Sequence, residues 1–398
     1  MFIIDSTAFE QKCATRPSPK QGTKMIKTNC AACAAPLAHD APRCVRCKTR
    51  YCNSKCQHDH WRRRHKQICK KIHSGGNAEQ YHADTKYKEA VKVAVEKCVD
   101  DTKGQKCYIC LEAVHPRTGE GLVRGCACGD RDGVSSPELG VAHVSCLARQ
   151  AEIFVAEAEE NNLGDNARIV KWKRWSTCGL CEQNYHGVVR CALGWACWET
   201  YLGQPEGDWT RCMAMMELGL GLKHAGHYED ALPVQEAELS LRRRLGSSER
   251  TLLSVQHNLA NTYLSIGRLE ESLRINQEIY AKKVELMVPY SWKLLTVVCI
   301  ASTLSKMRRY AEVLSFAPEQ IAECQRALGT EHENTLFLRN VYALALFRAK
   351  DASCDDWERA KAILVDVVQR MRRVLGALHP RTRKAEDGLK MIRERLGK

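Results

Sequence analysis

The sequence predicts a multidomain chain: two small zinc-stabilised cross-brace fingers followed by an all-α solenoid. Three observations predict it. Sixteen cysteine and histidine residues in the first half fall into two eight-ligand sets, each sufficient for two tetrahedral zinc ions, four in all. From about Met213 onward that spacing stops and a 41-residue repeat takes over. At 398 residues the chain is also too long for one ordinary core.

Residues 1–25 mix Pro17, Pro19, Gly22 and several lysines with little apolar content, which predicts a disordered tail. Met1 to Glu10 lacks a basic region leading into an apolar run, and no stretch of about 18 apolar residues follows. A soluble protein is expected, neither secreted nor membrane-bound, in the cytoplasm or nucleus. The 22 cysteines agree with a reducing compartment, because 14 of them cluster at metal spacing rather than in a short disulfide-rich chain. The others, Cys13, Cys98, Cys191, Cys197, Cys212, Cys299, Cys324 and Cys354, are expected mostly as buried small hydrophobes. The formal charge of +14 falls to +8 once the ligand cysteines count as thiolates and four dications are added. Residues 1–73 hold 16 Lys/Arg against 4 Asp/Glu, so the excess positive charge sits on the first finger.

The first finger, residues 26–73, carries Cys30, Cys33, Cys44, Cys47, Cys52, Cys56, His65 and Cys69. Cross-brace interleaving would give one zinc to Cys30, Cys33, Cys52 and Cys56, and the other to Cys44, Cys47, His65 and Cys69. About fifty residues with few large apolar side chains cannot fold on a core, so metal binding must supply the fold. Tyr51-Cys52, Cys56-Gln57, Trp61, His65 and Cys69 together resemble a MYND finger. That resemblance implies recognition of short, often proline-containing peptides in a shallow groove. Eight residues separate Cys56 from His65, one more than is typical, with His58 and His60 as competing ligands. The basic run Trp61 to Lys66, with Lys70 and Lys71, lacks an interleaved aromatic platform. It points to an acidic protein partner rather than to nucleic acid.

Residues 74–104 read as a linker with a short helix near Tyr87 to Cys98, where Val91, Val95 and Val99 recur at four-residue spacing. The second finger, residues 105–203, carries Cys107, Cys110, Cys126, Cys128, His143, Cys146, Cys178 and Cys181. Interleaving pairs Cys107, Cys110, His143 and Cys146 on one zinc and Cys126, Cys128, Cys178 and Cys181 on the other. The ligand order is shared by RING-CH and PHD fingers; the single residue between Cys126 and Cys128 resembles RING-CH. That resemblance implies a surface for a ubiquitin-conjugating enzyme, with Ile109 and Trp175 (or Trp172) as its exposed apolar contacts. Two features depart from it: 31 residues between Cys146 and Cys178, partly helical at Ala148 to Glu160, and Glu182 after the last ligand. The aromatic and cysteine-rich stretch from Tyr185 to Trp198 reads as a hydrophobic extension onto the first repeat, with ligation by His186, Cys191 or Cys197 as the alternative.

Over residues 208–398, Gly226-His-Tyr228-Glu-Asp-Ala-Leu232 recurs from Gly267 to Leu273 and, with Arg308 in the glycine position, from Arg308 to Leu314. Trp357 to Ala360 is a fourth copy, delayed by a polar insert around Asp351 to Asp356. Leu252, Val255, Leu259, Tyr263 and Ile266 trace one helical face up to Gly267, so each repeat is a helix hairpin, and such hairpins stack. Leu245-Gly246, Leu328-Gly329, Leu375-Gly376 and His379-Pro380 complete a pattern that resembles the tetratricopeptide repeats of kinesin light chains. The second copy departs from it, with Leu286-Met287 in place of Leu-Gly.

An adaptor that binds proteins or peptides is therefore expected. The alternative is a RING-type ubiquitin ligase recruiting substrate through the repeats and the first finger. No segment supplies the catalytic domain of a methyltransferase, and no open coordination position is evident for hydrolytic zinc chemistry.

Overall fold

The computed structural model describes residues 30–33, 35, 37, 40–126, 128 and 140–397. The predicted tail, residues 1–25, lies outside the described residues. Among the described residues there are no strands, only isolated bridges pairing Arg43 with Arg50, Val123 with Ala142 and Thr177 with Asn184.

The first finger closes with α1 (Ser54–His60), a π turn (Trp61–His65) and α2 (Lys66–Ser74). Asn53 caps α1 by accepting from the Cys56 amide. Beyond it, the expected linker is instead a 25-residue helix, α3 (Ala78–Thr102), capped by Asn77. Its valines at four-residue spacing advance about 40° per step around a 3.6-residue helix, so they do not stay on one face. Val91 is buried while Val99 is 56% exposed. The buried face runs instead through Ala83, Val91, Ala94 and Cys98. Val91, Ala94 and Cys98 pack against Leu122, Val123, Val144, Val189 and Leu193, which makes α3 part of the second finger's core, while Ala83 joins the cluster around Trp195.

The long interval between Cys146 and Cys178 is filled by α4 (Val144–Glu160), α5 (Asp165–Trp172) and a 3-10 turn (Lys173–Trp175). The aromatic extension is α6 (Gly187–Tyr201), buried along most of its length. Trp172, Trp175, Trp195 and Trp198 pack with Leu218, Leu222, Val234 and Leu241 of the first hairpin, so finger and solenoid share one core. Each such indole removes about 150–250 Å² from water, a gross gain of about 4–6 kcal/mol. Cys191 and Cys197 are part of this apolar core.

The solenoid pairs α7 (Trp209–His224) with α8 (Tyr228–Arg244), α9 (Glu249–Ile266) with α10 (Leu269–Glu285), α11 (Tyr290–Lys306) with α12 (Tyr310–Leu328), and α13 (Glu333–Arg348) with α14 (Cys354–Leu375). A final helix, α15 (Pro380–Leu396), covers the end. Successive first helices also pack on one another, α7 on α9, α9 on α11, α11 on α13 and α13 on α15, which curves the stack with these helices inside. The His-Pro pair is a helix start: His379 Nδ1 accepts from the Arg381 amide and Pro380 occupies the first turn. Part of the polar insert is helical too, because Ser353 and Asp356 form a capping box that starts α14 three residues before Trp357.

The turn inside each of the first three hairpins is left-handed. Gly226 and Gly267 have φ of +84° and +87°, and Arg308 keeps the same conformation at φ 59° without a glycine. Met287, in place of the Leu-Gly glycine, sits at φ 48°. Packing of the flanking helices imposes these conformations at a cost of about 1 kcal/mol each.

At its far end the solenoid returns to the second finger. Gln183 Nε2 donates to the Val374 carbonyl, and the rings of His186 and His379 meet edge-on at 5.6 Å. Among the described residues no helix is long and apolar enough to cross a membrane.

Candidate metal centres and peptide groove

Four Cys-x2-Cys knuckles are built alike. The amide of each first cysteine donates to the carbonyl five residues on: Cys30 to Ala35, Cys44 to Thr49, Cys107 to Glu112 and Cys178 to Gln183, at 2.7–3.0 Å. In the last three the residue after the second cysteine is left-handed: Lys48 at φ 60°, Leu111 at 64° and Glu182 at 60°. Its amide donates back to the first cysteine carbonyl at 2.8–3.0 Å. This tight return turns both sulfurs of a pair to one side. Amides of Ile109 and Leu180 point at Cys107 Sγ and Cys178 Sγ, 3.4 Å away, where they would favour thiolates. The Glu182 that breaks the expected pattern thus has a backbone role in its knuckle.

The sixteen predicted ligands converge as four tetrads, and within each the donor atoms lie within 4.8 Å of one another. They are Cys30, Cys33, Cys52, Cys56; Cys44, Cys47, His65, Cys69; Cys107, Cys110, His143, Cys146; and Cys126, Cys128, Cys178, Cys181. A tetrahedron of sulfurs about 2.3 Å from zinc has edges of about 3.8 Å. Cys44 and Cys69 sulfurs are 3.8 Å apart, Cys33 and Cys52 3.6 Å, and Cys128 and Cys178 3.5 Å. His143 Nδ1 lies 3.3 Å from Cys110 Sγ and 3.7 Å from Cys146 Sγ. Burial pushes the His143 imidazole toward its neutral, ligating form. In the second finger's all-cysteine tetrad, hydrogen bonds from Cys126 and Cys128 hold the Cys178 thiol far below its usual range, while its neighbours push Cys126 far above. Such crowded sulfurs can ionise together only around a cation, so the donor sets fit zinc.

The extra residue between Cys56 and His65 is absorbed by the π turn, whose wider winding takes one more residue per turn. His65 Nε2 therefore lies 3.3 Å from Cys47 Sγ and 3.4 Å from Cys44 Sγ. The competing His60 is engaged elsewhere, its Nδ1 3.0 Å from the hydroxyl of buried Tyr51. His58 lies outside the tetrads and lines a groove of about 390 Å³ with Val45, Arg46, Gln57 and Trp61. Val45 is 86% exposed and Trp61 42%, so the groove offers bare apolar surface beside the second tetrad. Val45 is not among the residues singled out from the sequence; the available signal is a large aliphatic residue between the two ligands of one knuckle.

One predicted contact is overturned. Trp175 is fully buried against Tyr201 and Trp172, and the Arg190 guanidinium donates to its carbonyl at 2.9 Å. Arg190 also pairs with buried Glu217 on α7, which accepts from Trp172 Nε1 at 3.3 Å. The tryptophans before the seventh ligand serve the joint between finger and solenoid rather than an outer surface. Ile109 is only half-exposed, packed on the finger's own core.

Two metal-braced units leading into helical repeats define a zinc-finger protein with a tetratricopeptide-type solenoid. Family models agree in part: the MYND finger matches residues 30–69 and the tetratricopeptide repeat matches residues 252–287. No curated protein matches the chain. Among solved structures, a candidate kinesin light chain of Podosopora anserina with nearly identical TPR-like repeats and a single-substitution variant of it are similar at 15% identity, covering 58% of this chain and 97% of that one, with TM-scores of 0.36 and 0.37. BtubC (BKLC) from P. vanneervenii is similar at 13% identity, covering 64% of this chain and 92% of that one, with TM-score 0.35.

Proposed function

We propose that the protein is an intracellular adaptor in which four zinc ions, two per finger, organise peptide-binding surfaces around a helical scaffold. The observation that carries this reading is the groove lined by Val45, Gln57 and Trp61, in which the exposed apolar side chains of Val45, on a metal-ligand knuckle, and Trp61, on the π turn, stand together. Short apolar or proline-containing peptides fit such a surface, because they bury little area and need a rigid host. The basic π turn beside it, with Arg62, Arg63 and Arg64 exposed, would favour acidic flanks. Binding of proline-containing peptide libraries to zinc-loaded protein tests the reading. Val45→Glu and Trp61→Ala should abolish capture at unchanged zinc content, and capture indifferent to both would reject it.

The resemblance of the second finger to RING-CH keeps a ubiquitin ligase as the second reading, favoured by the knuckle position of Ile109. Burial of Trp175 counts against it. Ubiquitin chains formed by zinc-loaded protein with a panel of conjugating enzymes, and lost in Ile109→Ala, would establish it over the adaptor. Metal analysis at four equivalents per chain would support the assigned stoichiometry.

A further inference from the structure

On the outer edge of the last two hairpins, far along the chain from either finger, lies a cleft of about 650 Å³. Ser305, Lys306, Arg308 and Tyr310 from the α11–α12 turn form one side, and Phe347 and Arg348 at the end of α13, Trp357 and Arg395 form the other. Four cationic side chains line it and no carboxylate does. Elsewhere on this solenoid arginines are commonly paired: Arg309, next to Arg308, with Glu312; Arg268 with Glu271; Arg339 and Arg370 with Asp366. Arg308, Arg348 and Arg395 make no ion pair among the described residues. Lys306 Nζ donates to the Leu264 carbonyl at 3.0 Å, which fixes its position without neutralising it. These three exposed guanidiniums, with no carboxylate beside them in the cleft, raise the local positive potential and so attract an anion.

The walls are aromatic. Phe347 and Trp357 meet edge-to-face with centroids 6.0 Å apart, and the Arg395 guanidinium sits 5.1 Å from the centre of the Trp357 ring. Trp357 Nε1 is buried and has no hydrogen-bond partner among the described residues, an unused donor on the residue that forms this wall. A flat ring laid in the cleft against Phe347 and Trp357, with Tyr310 facing it and a doubly charged group at the cationic rim, matches these features. Guanidiniums bind phosphate through paired parallel hydrogen bonds, and a phosphate monoester carries about −1.5 to −2 charges where a carboxylate carries one.

We propose that this edge cleft binds an aryl phosphate, presented as a phosphotyrosine on a partner peptide. The proposal rests on the adaptor reading, but it uses a surface separate from the finger groove. Calorimetric titration of the full zinc-loaded chain with a short phosphotyrosine peptide, its unphosphorylated twin, phenyl phosphate, inorganic phosphate and AMP tests it. The phosphopeptide should bind at least about tenfold tighter than its twin, and phenyl phosphate tighter than inorganic phosphate. Arg348→Ala with Arg395→Ala should weaken the phosphopeptide by about tenfold or more, at unchanged melting temperature and zinc content. Trp357→Phe, which keeps the ring and removes the donor, should weaken it less. Val45→Glu should leave phosphopeptide binding intact even where it abolishes binding at the finger. Equal binding of both peptides, tighter binding of AMP, wild-type affinity in the double arginine variant, or loss in Val45→Glu would each overturn the assignment.

Discussion

Substituting Gly194 by alanine measures how tightly the second finger is joined to the solenoid. A methyl group built on Gly194 in α6 would lie 2.9 Å from the Glu217 carbonyl oxygen and 3.2 Å from Leu218 Cα on α7. These are backbone atoms, so no side chain can rotate away. Restoring ordinary contact requires the two helices to part by roughly 0.5 Å across a core that holds Trp195, Trp198, Leu218 and Leu222. Overpacking of this kind costs about 1–3 kcal/mol, and the rigid backbone partner places it toward the top of that range. Alanine in mid-helix returns about 1 kcal/mol of propensity, which leaves a net destabilisation of about 1–2 kcal/mol. Gly221 on α7 faces the same joint reciprocally, 2.8 Å from the Arg190 carbonyl and 3.2 Å from Cys191 Cα. The double variant should therefore cost less than the sum, because one separation relieves both clashes. Gly203→Ala, with nothing within 4 Å, should stay within about 0.5 kcal/mol of wild type. Urea denaturation of zinc-loaded protein followed by tryptophan fluorescence reads all four chains. A Gly194→Ala protein more stable than wild type would show propensity acting alone and would refute the close joint.

Removing zinc with a strong chelator should unfold both fingers, each ion contributing about 10–16 kcal/mol in comparable sites; hydrogen exchange should then rise in α3 to α8, which share the second finger's core, while α11 to α14 stay protected. Glu238 is 1% exposed with no hydrogen-bond partner for either oxygen among the described residues, and burial raises its pKa to about 8 despite Arg242 at 3.8 Å. Its folded pKa exceeds its unfolded one, so its contribution is full below about pH 4.5 and is lost as pH rises toward 8, at roughly 1.4 kcal/mol per unit as an upper bound. Glu238→Gln should therefore be more stable than wild type at pH 8 and lose that advantage by pH 5 in thermal melts. Arg308→Gly and Met287→Gly, at φ 59° and 48°, should each stabilise the solenoid by about 0.5–1 kcal/mol, and a loss of stability in either would show that its side-chain packing outweighs the strain.

The metal tetrads were legible because ligand spacing is a local property. Two residues between cysteines let one tight turn aim both sulfurs, and Cys44, Cys47 and Cys178, Cys181 could be paired off the page. Helix hairpins were legible for the same reason: Tyr263 to Leu269 carries an apolar face, a left-handed glycine and a new helix start within a few residues. The linker was misread because four-residue spacing of valines marks a helix without fixing which face is buried. Ala94 and Cys98 acquire that role only from Val123 and Leu193, and Ala83 only from the cluster around Trp195, all of which lie far along the chain. Trp175 was misread because an aromatic beside a ligand looks the same whether it faces solvent or a neighbouring helix. Arg190 and Glu217, 27 residues apart, decide that it faces inward.

Sequence alone determined the kinds of unit this chain contains: which residues converge on metal, where helices begin and turn, and that hairpins repeat. Those properties depend on neighbours within about forty residues and on side-chain chemistry that does not change with context. Tertiary structure alone decided how the units are joined and which surfaces stay free. It buried the second finger's tryptophans in the first hairpin, brought the last helices back to Gln183 and His186, and left Val45 and the arginines around Trp357 uncovered. Whether an apolar or charged side chain is covered depends on distant segments that arrive only when the chain has folded.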